Sequence, residues 1–174
     1  MALVLTCGLS FAGKSTVARR LADSLGAQLI SLDRINEERG LDGGRGIPLE
    51  EWATTNRIAH ERGRDLLADG RHVVVDDTGS PRFIRDEWRR TADAAGSVFV
   101  LVWVQITPQL QLQRVRANRD EQIRRDVTDA VLEEHAASFE APVDENALIV
   151  AAEDTNDLER VSELVSAITA LDAR

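Results

Sequence analysis

A single cysteine, Cys7, stands in a chain of 174 residues. One thiol can form no internal disulfide and cannot build a zinc site alone. At the end of an apolar run it is expected to act as a small hydrophobe rather than as a redox group or nucleophile, a usage that suits a reducing cytoplasm. No apolar run approaches the roughly 20 residues a membrane-spanning helix needs; the longest, Ser97–Val104, reads as a buried strand. The opening residues, Met1-Ala2-Leu3-Val4-Leu5-Thr6-Cys7, carry no basic leader or cleavage pattern, so no signal peptide is expected. Basic residues are outnumbered, 21 Lys and Arg against 30 Asp and Glu, for a formal net charge of −9. That balance argues against broad nonspecific binding to nucleic acid, although a local basic cluster lies between Arg114 and Arg125. Internal repeats, low-complexity linkers, Cys pairs, histidine clusters and Ser/His/Asp triads are all missing. His60, His72 and His135 are scattered and read as structural or solvated.

What remains is a globular composition, 43% hydrophobic and 29% charged, at a length that fits one domain with its own core, residues 1–174. Strand-like runs alternate with helix-like segments, the pattern of an α/β domain with a parallel sheet. Strands are expected at Ala2–Cys7, Gln28–Ser31, His72–Asp76, Val98–Gln105 and Ala147–Val150. Helices are expected at Lys14–Leu25, Leu49–Asp69, Arg82–Ala95, Pro108–Asn118, Thr128–Phe139 and Asn156–Leu171. The last carries Leu158, Val161, Leu164, Val165, Ile168 and Leu171 on one stripe. The Gly-rich stretch Gly40–Gly46 is expected to be a mobile loop or a plain surface excursion.

The segment Gly8-Leu9-Ser10-Phe11-Ala12-Gly13-Lys14-Ser15-Thr16 matches G-x-x-x-x-G-K-[ST] at every fixed position. Gly8 and Gly13 let the backbone turn its N–H groups toward a triphosphate, and a helix starting near Lys14 adds its positive end to the same anion site. Lys14 can reach the β- and γ-phosphates, and Ser15 offers a hydroxyl to Mg²⁺. The motif falls between the strand and the helix it requires, so ATP or GTP with Mg²⁺ is the expected cofactor set. The chain contains no Asn-Lys-x-Asp guanine reader, and the base stays open.

The acceptor side separates a kinase from a switch or motor. Asp33 follows the second strand, and in an open parallel sheet ligands bind at the carboxyl ends of the strands. Its carboxylate could take the proton of an attacking hydroxyl, or it could cap the following turn, Arg34–Arg39. A nucleotide switch needs no such base. The third strand ends in Asp76-Asp77, where a carboxylate can hold Mg²⁺ or its waters. Asp76 continues the strand into that role and Asp77 faces the acceptor, though the two could exchange. The arginine cluster forms a lid segment at about 114–127, in which Arg119 is best placed to close on the phosphates and Arg124 and Arg125 come next. Acceptor contacts are expected from about 36–49 and from the stretch after the third strand, with Asn36, Trp52 and Arg82 as candidates beside Asp33 and Asp77.

Taken with Phe139-Glu140-Ala141-Pro142, these residues resemble the small P-loop kinases that include chloramphenicol phosphotransferase, 5′ polynucleotide kinases, zeta toxins and seryl-tRNA kinases. The resemblance implies an adenylate-kinase-like parallel sheet of order 2-3-1-4-5, Asp33 as general base and Arg119 in a lid. Polynucleotide kinases commonly carry an Arg three residues after the base, and here that position is Asn36. The departure favours a small-molecule hydroxyl acceptor, nucleoside-like or antibiotic-like, over a nucleic-acid 5′ end. The Arg-rich, Lys-poor composition is similar to that of high-GC bacteria, where antibiotic-modifying kinases of this group occur.

Overall fold

The computed structural model describes residues 1–173; Arg174, the last residue of the expected domain, lies outside them. Five parallel strands form one sheet: β1 (Ala2–Cys7), β2 (Gln28–Ser31), β3 (Val73–Asp76), β4 (Val98–Gln105) and β5 (Leu148–Ala151). Their spatial order is β2-β3-β1-β4-β5, the expected 2-3-1-4-5. Parallel neighbours need crossovers, and helices supply them on both faces. They are α1 (Lys14–Leu25), α2 (Leu32–Glu38), α3 (Leu49–Ala68), α4 (Arg82–Ala94), α5 (Pro108–Glu121), α6 (Asp129–Ser138) and α7 (Leu158–Asp172).

A sheet covered on both faces makes its central strands largely apolar on both sides. All six residues of β1 are buried, and their alternation splits the core in two. Ala2 and Val4, with Val100, Val102 and Val104 of β4, meet α1 and α7 through Val17, Leu21, Leu164 and Ile168. Leu3, Leu5 and Cys7 face the other way, onto α3 and α4, where Trp88 is fully buried. Trp88 stacks on His60 with ring centroids 3.8 Å apart. Gly63 makes room for it, since a Cβ there would lie 3.0 Å from the indole.

Several local expectations change. Helix α7 begins at Leu158, after a 3₁₀ turn at Ala152–Asn156, and not at Asn156, and Leu158 of the expected stripe is 73% exposed. The turn after Asp33 is a helix that already includes it: Ser31 is the N-cap, accepting from the Arg34 N–H, and Asp33 sits in the first turn of α2. Asp33 is therefore not a cap. The Gly-rich stretch holds a 3₁₀ turn, Gly43–Arg45, capped by Asp42, whose carboxylate accepts from the Gly44 N–H at 3.0 Å. That turn is anchored: the Thr128 N–H donates to the Gly44 carbonyl at 3.0 Å, and a Cβ on Gly44 would meet the Asp126 carbonyl at 2.1 Å. Helix α5 runs to Glu121, so Arg119 lies within its last turn.

Candidate active site

The phosphate loop leaves β1 at the carboxyl edge of the sheet and enters α1 at Lys14. Gly8 and Gly13 have φ of 145° and 105°, where a side chain would be strained. A Cβ on Gly8 would lie 2.4 Å from the Val104 carbonyl, and one on Gly13 would lie 2.8 Å from Thr155, so both positions are also sterically closed. The adjoining strand ends are stitched together. The Thr6 hydroxyl bridges the Val75 and Asp77 carbonyls at 3.2 and 3.3 Å, and the Gly8 N–H donates to the Thr78 carbonyl at 3.0 Å. The acidic end of β3 is thereby fixed beside the loop.

Charge at this edge is poorly compensated. Burial pushes the Lys14 ammonium below its ordinary value, against the pull of Asp76, Asp33 and Asp77. Burial pushes Asp76 up, opposed by Lys14 and by a hydrogen bond from Ser15. It raises Asp77 to about 6, although the Thr78 and Gly79 amides and Lys14 favour the ionised form. Asp33 is exposed on α2, and it adds to the negative field on both other carboxylates. The structure thus gathers Lys14, Ser15, Asp33, Asp76 and Asp77 around one edge of the sheet. Lys14 itself donates to the Leu9 carbonyl at 3.0 Å. Cys7, buried and donating to the Gly79 carbonyl at 3.5 Å, is held protonated with its thiol raised to about 12 by burial, as befits a core hydrophobe.

The arginines divide. Arg119 is held by Asp126 at 3.1 Å, by Asp129 at 2.7 Å and by the Val127 carbonyl at 3.1 Å. Arg124 lies over the Phe11 ring of the phosphate loop, 4.5 Å from its centroid, and Arg125 pairs loosely with Glu37 at 3.8 Å. Arg114 donates to the Phe11 and Ala12 carbonyls at 3.0 Å each and to the Ala152 carbonyl at 2.7 Å. Gln111 adds a bond to the Ser10 carbonyl at 2.9 Å. Helix α5 therefore clasps the outside of the loop, a function that the sequence did not reveal.

The acceptor-side candidates fare unequally. Asn36 is 1% exposed and accepts from the Thr55 hydroxyl at 2.5 Å, so it joins α2 to α3 instead of lining an open cleft. Trp52 packs half-buried against the α3–α4 core. Arg82 is exposed beside Asp86 at 3.7 Å, and its backbone N–H donates to Glu140 at 2.7 Å, which gives the Phe-Glu-x-Pro element a structural task at the start of α4. Arg85, unnoticed in the sequence, is 1% exposed and bonds the Gly79 and Glu140 carbonyls and the buried Glu145. His135 was also passed over, yet its Nδ1 lies 3.3 Å from the Ser10 hydroxyl.

A glycine cradle fused to a strand and helix, with a lysine and carboxylates at the same edge, is the arrangement of P-loop nucleotide-binding proteins. The sequence profile described as AAA domain matches residues 3–142. The chain belongs to that family. This AAA domain protein is 27% identical to a shikimate kinase of Actinobacillus succinogenes over 168 residues, covering 84% of this chain and 89% of the relative. Its fold is similar to that of Chaetomium thermophilum Kti12 in complex with ADP-AlF3, with a TM-score of 0.76 and 18% identity over 99% of this chain and 100% of the other. The Mycobacterium tuberculosis APS kinase CysC, solved with AMPPNP and APS, aligns with a TM-score of 0.66 and 21% identity over 99% and 98% of the two chains. The AAA domain protein thus has a kinase-like P-loop fold. Among its described residues no helix is long and apolar enough to cross a membrane.

Proposed function

We propose that this protein is a Mg²⁺-dependent kinase that moves the γ-phosphoryl group of ATP, or of GTP, to a hydroxyl of a small molecule in the cytoplasm. The observation that carries the reading is Asp33, an exposed carboxylate on the acceptor side that shares the electrostatic field of Lys14, Asp76 and Asp77. The acceptor hydroxyl gives its proton to Asp33 as its oxygen bonds to the γ-phosphorus, and the bond to the β,γ-bridging oxygen breaks to release the diphosphate. Backbone N–H groups of Gly8–Gly13 and the N-terminus of α1 hold the phosphates. Lys14 leaves the Leu9 carbonyl to neutralise charge between the β- and γ-phosphates.

Mg²⁺ is characteristically held by one or two carboxylates together with phosphate oxygens and waters. Asp76 with the neighbouring Ser15 hydroxyl fits that requirement, and burial pushes the carboxylate up against the pull of Lys14. When bound, the ion would offset negative charge on the phosphates. Arg119 is the lid arginine of this scheme: release from Asp126 and Asp129 would free its guanidinium for the transferring group, with Arg124 and Arg125 beside the loop. Asp77, Trp52 and Arg82 remain the acceptor-side candidates, while the polynucleotide-kinase arginine position holds Asn36, a neutral and buried side chain. A nucleoside-like or antibiotic-like alcohol is therefore favoured over a nucleic-acid end, and the shikimate kinases among the relatives support a small-molecule acceptor without favouring either kind.

The test is a phosphorylation screen with labelled ATP and GTP against nucleosides, hydroxylated antibiotics, sugar acids and 5′-OH oligonucleotides. The expected result is label transfer to one small-molecule class, lost with Asp33→Asn. Transfer only to oligonucleotides would replace the acceptor assignment, and tight nucleotide binding without any transfer would mark a switch.

A further inference from the structure

Helix α6 lies across the phosphate loop. Val131 of α6 joins Phe11, Val115 and Val127 in a small buried cluster, with Leu132 packed against it. His135 is one turn further along, on the face that Val131 presents to the loop. Its Nδ1 meets the hydroxyl of Ser10, the third residue of the loop, at 3.3 Å. The imidazole also lies within the fields of both Lys14 and Asp33, the group that would grip the phosphates and the group that would take the acceptor proton. The ring therefore stands beside the phosphate loop, on the side that α6 covers.

We propose that His135 contacts the terminal phosphate of a bound nucleoside triphosphate, with the Ser10 hydroxyl fixing the orientation and tautomer of its ring. The Ser10 hydroxyl can donate to Nδ1, which leaves the proton on Nε2. Nε2 then carries an N–H with no hydrogen-bond partner among the described residues, free to donate to a γ-phosphate oxygen. Without nucleotide, burial and the repulsion of Lys14 hold the ring below its ordinary pKa, against Glu134 and Asp33. This inference rests on the phosphate-loop reading above and adds to it a sensor of the third phosphate.

The experiment is calorimetry with Mg²⁺, comparing ADP with a non-hydrolysable β,γ-imido triphosphate. A hydrogen bond to a charged acceptor predicts that His135→Ala weakens the triphosphate analogue about 10-fold or more and leaves ADP within about twofold. His135→Gln keeps an N–H donor and should recover part of the loss. Ser10→Ala keeps the imidazole but frees its tautomer, and should lose less than His135→Ala. Equal weakening of both nucleotides would show that His135 only shapes the loop, and unchanged binding of both would remove it from the site; either result overturns the inference and leaves the kinase reading standing. Wild-type protein that binds neither nucleotide would overturn both.

Discussion

Two groups of buried charge in this molecule behave in opposite ways. Behind α4, Arg85 and Glu145 are 1% and 4% exposed and lie 2.5 Å apart, and Arg89 adds a second contact to Glu145 at 3.1 Å. Hydrogen bonds to the arginines hold Glu145 below the usual carboxylate range, while Glu145 raises Arg85 against the effect of burial. Each charge there is favoured by its neighbours. At the phosphate loop the signs reverse: Lys14 is pushed down and Asp76 and Asp77 are pushed up, burial being the first cause each time. A closed ion pair serves stability, whereas strained, uncompensated charge at a sheet edge is what a ligand-binding site requires. The difference separates a part of the fold that is finished from one that a polyphosphate and a cation would complete.

The largest effects should come from the uncompensated region, and they should be catalytic. Asp33→Asn keeps shape and removes the base, so transfer should fall about 10²–10⁴-fold while nucleotide affinity by calorimetry stays within a few-fold. Transfer that survives would move the base to Asp77. Lys14→Ala should cost about 10²–10³-fold in transfer in a protein that still folds, as a cooperative thermal melt will show. Near-normal turnover in that variant would show that the triphosphate lies elsewhere.

From the closed region comes the next effect, and it should be purely structural. Arg85→Ala leaves the buried Glu145 with Arg89 as its remaining cation partner, and losing the closer partner of a buried pair should cost up to about 3–5 kcal/mol. Urea titration should show that loss, with nucleotide affinity of the remaining folded protein intact. A stable Arg85→Ala would erase the contrast between the two regions.

Arg119 tests the boundary between them, since it is now satisfied by Asp126 and Asp129 and is expected to exchange them for phosphate. Arg119→Ala should reduce kcat by about 10–100-fold with little change in the KM for nucleotide. A change confined to KM would make it a ground-state binder and point to Arg124 or Arg125 as the lid residue.

The smallest effect concerns pH. Asp77, raised to about 6 from 3.8, holds its proton longer when folded, so its contribution to stability falls as pH rises from about 4 to 6 and stays low above that. His60 runs the other way: lowered to about 4 by burial, it contributes stability that is present above about 6.5 and lost as pH falls toward 4. Asp77→Asn should therefore be more stable than wild type at pH 7, by on the order of 1 kcal/mol, with the gap closing by pH 4. Denaturant melts across that range read it directly, and parallel curves at all pH values would show that Asp77 is ionised without cost.

By itself the sequence determined the sheet and the loop. A parallel strand buried on both faces is an apolar run, so β1 and β4 could be read residue for residue; the edge strand β2 was placed as well, and the 3.6-residue stripe of α7 marked its packing face from Val161 to Leu171, while Leu158 is exposed. The phosphate loop is contiguous, so its glycines and lysine were legible without knowing the fold. Asp33, Asp76 and Asp77 were legible because strand ends in such a sheet point to one edge. Only the tertiary structure decided the rest. Arg114 reaches the loop across 103 residues, His135 reaches Ser10 across 125, and Arg85 reaches Glu145 across 60. Contacts at such separations leave no local pattern, because any arginine or histidine on a helix looks the same until packing gives it a partner. Asn36 fell to the same limit: the helical turn placed it correctly in the chain, but which way it faced was settled by α3, whose Thr55 draws the amide inward.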